Sequence, residues 1–209
     1  MPIADLHTLT DAQRDALCEV ANIGAGHAAT ALSLMTSTKI MISVPTITVA
    51  PLEELAPTIS PIPDELVALV PMGMSGTLTG HTILAFPLPT AHRLAALMLR
   101  RPALESEELT DLEASALTEA GNILAGAYMT ALSEFMRMTL LPSPPTLAVG
   151  PARRVLLNTA AHAHHEGGYI ICVETEFMLN HVGDRLPGYF LLLPDSASLS
   201  VILSAIRAE

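Results

Sequence analysis

Polar and apolar residues follow two different periods along this chain, and the whole pattern is written twice. From Thr10 to about Met35, and again from Thr110 to about Met136, apolar residues recur every three or four positions with no intervening proline, which predicts two long amphipathic helices. Leu17, Val20, Gly24, Ala28 and Ala31 collect on one side of the first, and Leu117, Leu124, Tyr128 and Ala131 on one side of the second, as faces for a sheet. Thr10 with Gln13, and Thr110 with Glu113, have the spacing at which hydroxyl and carboxamide or carboxylate satisfy the free N–H groups of a helix start. Between these helices the period shortens. Val, Ile and Thr enrichment with partial alternation predicts strands over 39–49, 66–72 and 77–86, then over 139–149, 154–161, 169–177 and 186–193. Short helices opening at Pro89-Thr90 and Pro194-Asp195, and ending near Leu99 and Arg207, close each half.

Shifted by one hundred residues, LTDAQRDALCEVANIGAG (Leu9 to Gly26) aligns with LTDLEASALTEAGNILAG (Leu109 to Gly126), and TALS at Thr30 to Ser33 with TALS at Thr130 to Ser133. A match of that length marks a tandem duplication. Each half is too small to close its own sheet, so the expected fold is α+β: one domain over 1–209 made of two repeats, about 9–103 and 109–209. Their strands join in a continuous antiparallel sheet with pseudo-twofold symmetry, carrying two long helices and one short helix per half.

Composition narrows the chemistry. Half of the 209 residues are hydrophobic but aromatics are only 3% and Trp is absent, so the core is aliphatic, with ten Met as filler, Met35 and Met136 among them. A net charge of −11 argues against a nucleic-acid partner. Cys18 and Cys172 have no zinc-type spacing and are expected as buried thiols of a reducing compartment. The acidic N-terminal stretch does not resemble a signal peptide, and no apolar run reaches the ~18 residues of a membrane helix. A soluble, cytoplasmic protein without membrane insertion is expected.

One feature of the two long helices exceeds what a solvated face needs. At about 100° per residue, Asp15, Glu19 and Asn22 fall within about 60° of one another, as do Ser115, Glu119 and Asn122, opposite the apolar faces. Asn is a poor residue for a helix interior, yet it stands at the same place in both copies while Asp15 becomes Ser115 and Cys18 becomes Thr118. Gly26 and Gly126 follow one turn later on the same stripe, where glycine weakens the helix by about 1 kcal/mol but leaves room for another surface. The stripe reads as a docking surface.

The spacing Asp/Ser-x3-Glu-x2-Asn-x22-Pro fits Asp15, Glu19, Asn22 and Pro45, and fits again at Ser115, Glu119, Asn122 and Pro145. With NIGAGHAATALS, NILAGAYMTALS and YFLLLPDSASLSVIL around it, this pattern resembles the CheC/CheX/FliY family of response-regulator phosphatases over nearly the whole chain. Two motifs and no added flagellar-switch domain match the CheC-like type. The resemblance implies hydrolysis of the aspartyl phosphate of the chemotaxis response regulator CheY. It implies that Asn22 and Asn122 orient the attacking water and that Glu19 and Glu119 anchor to the regulator's lysine. Asp15 and Ser115 would support the Glu, and Pro45 and Pro145 would be structural. No cofactor of its own is implied, since Mg²⁺ belongs to the regulator; CheD is a further partner by resemblance. The alternatives are a non-catalytic module that binds the regulator or CheD and, more remotely, a flagellar-switch component.

Remaining candidates have bland readings. The Gly24-x-Gly26 pair lies inside a helix, not between strand and helix, which excludes a nucleotide-binding turn. His162, His164 and His165 could hold a metal, but they are expected in a loop between two strands and have no counterpart in the first half. His27 and His81 read as packed or surface histidines.

Overall fold

The computed structural model describes residues 10–62, 64–103, 106–162, 169–179 and 185–205. Each half runs in the same order. The first has α1 (Asp11–Thr36), β1 (Ile40–Ile42), β2 (Thr46–Pro51), α2 (Leu52–Ile59), β3 (Leu66–Gly76), β4 (Gly80–Pro87) and α3 (Leu88–Leu99). The second has α4 (Asp111–Met136), β5 (Leu140–Pro142), β6 (Ala148–Pro151), α5 (Ala152–His162), β7 (Tyr169–Leu179), β8 (Arg185–Pro194) and α6 (Ser196–Ala205).

All eight strands join one antiparallel sheet in the order β1-β7-β8-β4-β3-β5, with β2 also on β7 and β6 also on β3. The halves exchange their first strands. Ile40 pairs with Leu179 and Ile47 with Val173, while Leu140 pairs with Gly76 and Val149 with Ala68. At the centre β4 lies on β8, with Ile83 opposite Leu191, so the repeats share one hydrogen-bonded sheet.

The sheet is covered on both faces. On one side α1, α3, α4 and α6 bury Leu17, Leu32, Leu117, Leu124, Tyr128 and Ile202 against Val70, Phe86, Val173 and Phe190. On the other, α2 and α5 bury Leu55, Ile59, Val155 and Leu156 against Val67, Leu69, Cys172 and Leu191. This second helical layer corrects the expected repeat of one long helix, strands and one short helix. Residues 154–161, expected as a strand, belong to α5, whose buried residues Ala152, Val155, Leu156 and Ala160 have helical spacing. The helix α2 was unforeseen too, and Pro57 stands inside it.

The expected strands 39–49 and 139–149 are each broken in two at their prolines. Pro45 and Pro145 have no N–H to give a ladder, and Ser43 and Ser143 bridge the gaps instead. The Ser43 hydroxyl accepts from the Glu176 N–H at 3.0 Å, and the Ser143 hydroxyl accepts from the Gly73 N–H at 2.7 Å.

Both long helices start as their sequences require. Thr10 Oγ1 accepts from the Gln13 N–H at 3.2 Å while the Gln13 side chain accepts from the Thr10 N–H at 3.0 Å. Thr110 and Glu113 repeat the arrangement at 3.3 and 2.9 Å. The faces intended for the core are buried as expected, save that Ala31 is half-buried. Cys172 is buried, whereas Cys18 is only half-buried; both thiols are free. Among the described residues no helix is long and apolar enough to cross a membrane.

Candidate functional site

The two long helices lie side by side on one face of the sheet, and their contact is set by complementary volumes. Gly24 of α1 meets Tyr128 of α4, and Ala28 and Leu124 are buried in the same core; the positions corresponding to Gly24 and Ala28 in the second repeat are Leu124 and Tyr128. Packing on these inner sides turns the opposite sides outward. Asp15, Glu19 and Asn22 are all exposed on α1, and Ser115, Glu119 and Asn122 are all exposed on α4. The structure therefore brings the three helical residues of each motif onto one open stripe. Pro45 and Pro145 lie off these stripes, buried and half-buried in the breaks between β1 and β2 and between β5 and β6.

Space around the amides follows from the glycines. A Cβ built on Gly26 or on Gly126 would meet nothing within 4 Å, so both turns beyond Asn22 and Asn122 are open to an approaching surface. In contrast, a Cβ on Gly121 would lie 2.6 Å from Val70 Cγ1, because that glycine lets α4 settle on the sheet. The glycines thus sit in different surroundings: Gly121 against the sheet, Gly26 and Gly126 in open space. Thr30, two turns beyond Asn22, turns its hydroxyl back to the Gly26 carbonyl at 2.9 Å, a second donor to a carbonyl already inside the helix ladder.

One pair of residues was passed over in the sequence. Ile23 is 36% exposed and Ile123 half-buried, each directly after the motif Asn, so an apolar shoulder stands beside each amide. The signal was present as the repeated Asn-Ile dipeptide. A carboxylate, a carboxamide and an apolar contact on one rigid helix can bind a protein surface and hold a polar group in its centre.

The other candidates separate from these stripes. His162 ends α5 and its Nδ1 donates to the Asn158 carbonyl at 2.6 Å, so it follows a helix and not a strand; His164 and His165 lie outside the described residues. Among the described residues no three His, Cys, Asp or Glu side chains gather as a metal site. His27 is exposed and His81 half-buried.

Comparison with known proteins agrees with this arrangement. Residues 13–49 and 112–149, which carry the two motifs, match the CheC-like family. The chain is 31% identical over 203 residues to the CheY-P phosphatase CheC of Bacillus subtilis, spanning 96% of this chain and 97% of that protein. The X-ray structure of Thermotoga maritima FliY superposes with a TM-score of 0.77 at 23% identity, covering 96% of this chain and 98% of the other. A CheX–CheY–BeF3–Mg²⁺ complex from Borrelia burgdorferi contains a chain of related fold, with a TM-score of 0.50 at 19% identity over 80% of this chain and 94% of that one. On the strength of its near full-length identity to the Bacillus protein, this chain belongs to the CheC-like family.

Proposed function

We propose that this protein is a phosphatase of a CheY-type response regulator, hydrolysing its aspartyl phosphate at two sites, one on each long helix. The observation that carries the reading is the pair of exposed amides, Asn22 and Asn122, at matched places on twin helices, each with open space where its glycine stands. The regulator supplies the phosphoryl group and the Mg²⁺ that neutralises it; the CheX–CheY complex with BeF3 and Mg²⁺ supports this reading.

Hydrolysis of an acyl phosphate needs a water in line with the bond that breaks. The carboxamide of Asn22 or Asn122 accepts a hydrogen bond from that water through its carbonyl and donates through its NH₂, which fixes the attacking lone pair. As the water oxygen bonds to phosphorus, the phosphorus–oxygen bond to the aspartyl carboxylate breaks, the Asp is regenerated, and the water proton leaves with inorganic phosphate or to solvent. No covalent intermediate forms on this chain. Glu19 and Glu119, one turn earlier on the same stripe, pair with a lysine of the regulator and set the depth at which the amide enters. Asp15 and Ser115 sit one turn further back and support that glutamate.

The test is a time course of regulator dephosphorylation with the regulator in excess. Wild type should accelerate phosphate loss substoichiometrically, each of Asn22→Ala and Asn122→Ala should retain the other site's activity, and the double variant should fall roughly 100-fold or more. Equal rates for wild type and the double variant would remove the carboxamides from the mechanism.

A further inference from the structure

The large apolar side chains exposed on the two long helices are Ile23, Leu34 and Met35 on α1 and Leu112 on α4, among the described residues. The repeat sorts them. Leu34 corresponds to Glu134, Met35 to Phe135 and Leu112 to Ala12, whereas Ile23 corresponds to Ile123, which is half-buried and packs on the margin of the core. Other outward positions around the motifs differ between the copies: Arg14 and Ala114, Asp15 and Ser115, Cys18 and Thr118, His27 and Ala127. Beside the amides, Glu19, Ile23 and Gly26 recur as Glu119, Ile123 and Gly126.

Helical spacing puts each Ile inside this group. Ile23 follows Glu19 by four residues and precedes Gly26 by three, the separations at which side chains are neighbours on a helix surface, and the second copy repeats both. A Cβ on either glycine would meet nothing within 4 Å, so the space between each Ile and its glycine is open. The fold alone gives Ile23 little reason to be there. Its branched side chain lowers helix propensity relative to Ala, and the surface it leaves in water contributes no burial.

We propose that Ile23 and Ile123 are the apolar anchors of the two docking stripes, each seating on an apolar surface of the CheY-type regulator beside its phosphorylated aspartate. This rests on the phosphatase reading above and deepens it, because it says where affinity comes from. Carboxylate and carboxamide must shed water to make their contacts, which offsets part of what those contacts gain. The isoleucine adds to them: apolar surface removed from water drives association, a β-branched side chain has few rotamers to lose, and a dry rim strengthens the polar contacts it encloses.

The experiment measures binding and turnover of the full chain with both isoleucines changed together, as Ile23→Val plus Ile123→Val and as Ile23→Thr plus Ile123→Thr. Val and Thr share a shape, so polarity alone separates the two variants, and a thermal melt of each checks the fold. Binding is titrated calorimetrically with the regulator in its BeF3–Mg²⁺ form, and turnover is followed with the phosphorylated regulator in excess. The Val variant should keep affinity and KM within about threefold of wild type. The Thr variant should lose about tenfold in both, with kcat at saturation changed less than about twofold and a smaller negative heat-capacity change on binding. Equal affinity for wild type and the Thr variant, a Val variant as weak as the Thr variant, or a loss confined to kcat each overturns the anchor. Asn22→Ala plus Asn122→Ala, measured alongside, keeps the two questions apart: unchanged turnover there removes the phosphatase mechanism, while the affinities for the BeF3–Mg²⁺ form decide the anchor in either case.

Discussion

Gly24 of α1 and Tyr128 of α4 approach so closely that a Cβ on the glycine would lie 2.6 Å from Tyr128 Cδ1 and 3.1 Å from its Cα. The tyrosine ring cannot swing aside, because it stacks on Phe190 with centroids 4.7 Å apart and an interplanar angle of 14°. Burial raises the Tyr128 phenol to about 12 against the usual 10.0, so it stays neutral within this contact. The two repeats have divided the volume between their helices. Small Gly24 and Ala28 on α1 face the core beside large Leu124 and Tyr128 on α4, and together they fill one interface. Alanine at position 24 would gain about 1 kcal/mol of helix propensity, but overpacking against a fixed ring and backbone costs about 1–3 kcal/mol. Gly24→Ala is therefore expected to lower stability by about 1 kcal/mol, read as a lower urea midpoint; a higher midpoint would contradict the packing described.

Gly26 and Gly126 predict the opposite sign. With nothing within 4 Å of either added Cβ, Gly26→Ala and Gly126→Ala should each stabilise the protein by about 1 kcal/mol. The same methyl groups stand on the stripes proposed for docking, one turn from the amides. Phosphatase activity of the double variant should fall about tenfold or more through KM even as its melting temperature rises. Stabilisation with unchanged KM would show that the glycines do not keep the approach open.

Glu19 and Glu119 are exposed, so the anchoring role proposed for them predicts an effect on affinity and salt dependence and not on folding. Glu19→Gln with Glu119→Gln keeps shape and removes two charges. The expected outcome is a KM raised about five- to tenfold, a nearly unchanged kcat at saturation, and a weaker dependence of kcat/KM on ionic strength. A loss confined to kcat would place the glutamates in the chemistry instead.

The long helices were legible almost to the residue because every local signal agrees there: capping boxes at Thr10 and Thr110, an unbroken apolar period, and a repeat that doubles each signal. That each Asn shares an exposed stripe with its Glu was legible for the same reason, since an Asn held twice in a helix interior is a local misfit that packing does not require. The second layer of helices was not. In α5 the spacing of Ala152, Val155, Leu156 and Ala160 is helical, but eight residues with Val and Thr also fit a strand, and only burial against Cys172 and Leu191 on the far face of the sheet decides. In α2 the spacing of Leu52, Leu55 and Ile59 is helical as well, yet Pro57 removes one backbone bond, so tertiary packing holds what propensity would end.

The repeats differ in charge where their capping boxes diverge, Gln13 in one and Glu113 in the other. Glu113 is fully buried, and burial by itself would push its carboxyl up. The Thr110 N–H at 2.9 Å, His92 Nδ1 at 3.1 Å and the Thr110 hydroxyl at 2.8 Å outweigh that and hold it at about 2 against the usual 4.5. His92 in turn sets its Nε2 on the Ser106 carbonyl at 2.8 Å, so the connector between the repeats hangs on this carboxylate. Because the folded value lies below the unfolded one, the unfolded chain binds more protons between about pH 2 and about pH 4.5, and stability rises with pH across that window. The contribution is complete above about 4.5 and lost as pH falls toward about 2, and a shift of this size corresponds to on the order of 3 kcal/mol. Glu113→Gln, which writes the first repeat's own residue into the second, preserves the cap but leaves His92 and Arg101 facing a neutral amide. The variant should be markedly less stable at pH 7, and its deficit relative to wild type should shrink between pH 4 and pH 3. Urea unfolding at those pH values decides, and a deficit of the same size at pH 3 and pH 7 would show that the buried carboxylate does not titrate in this range.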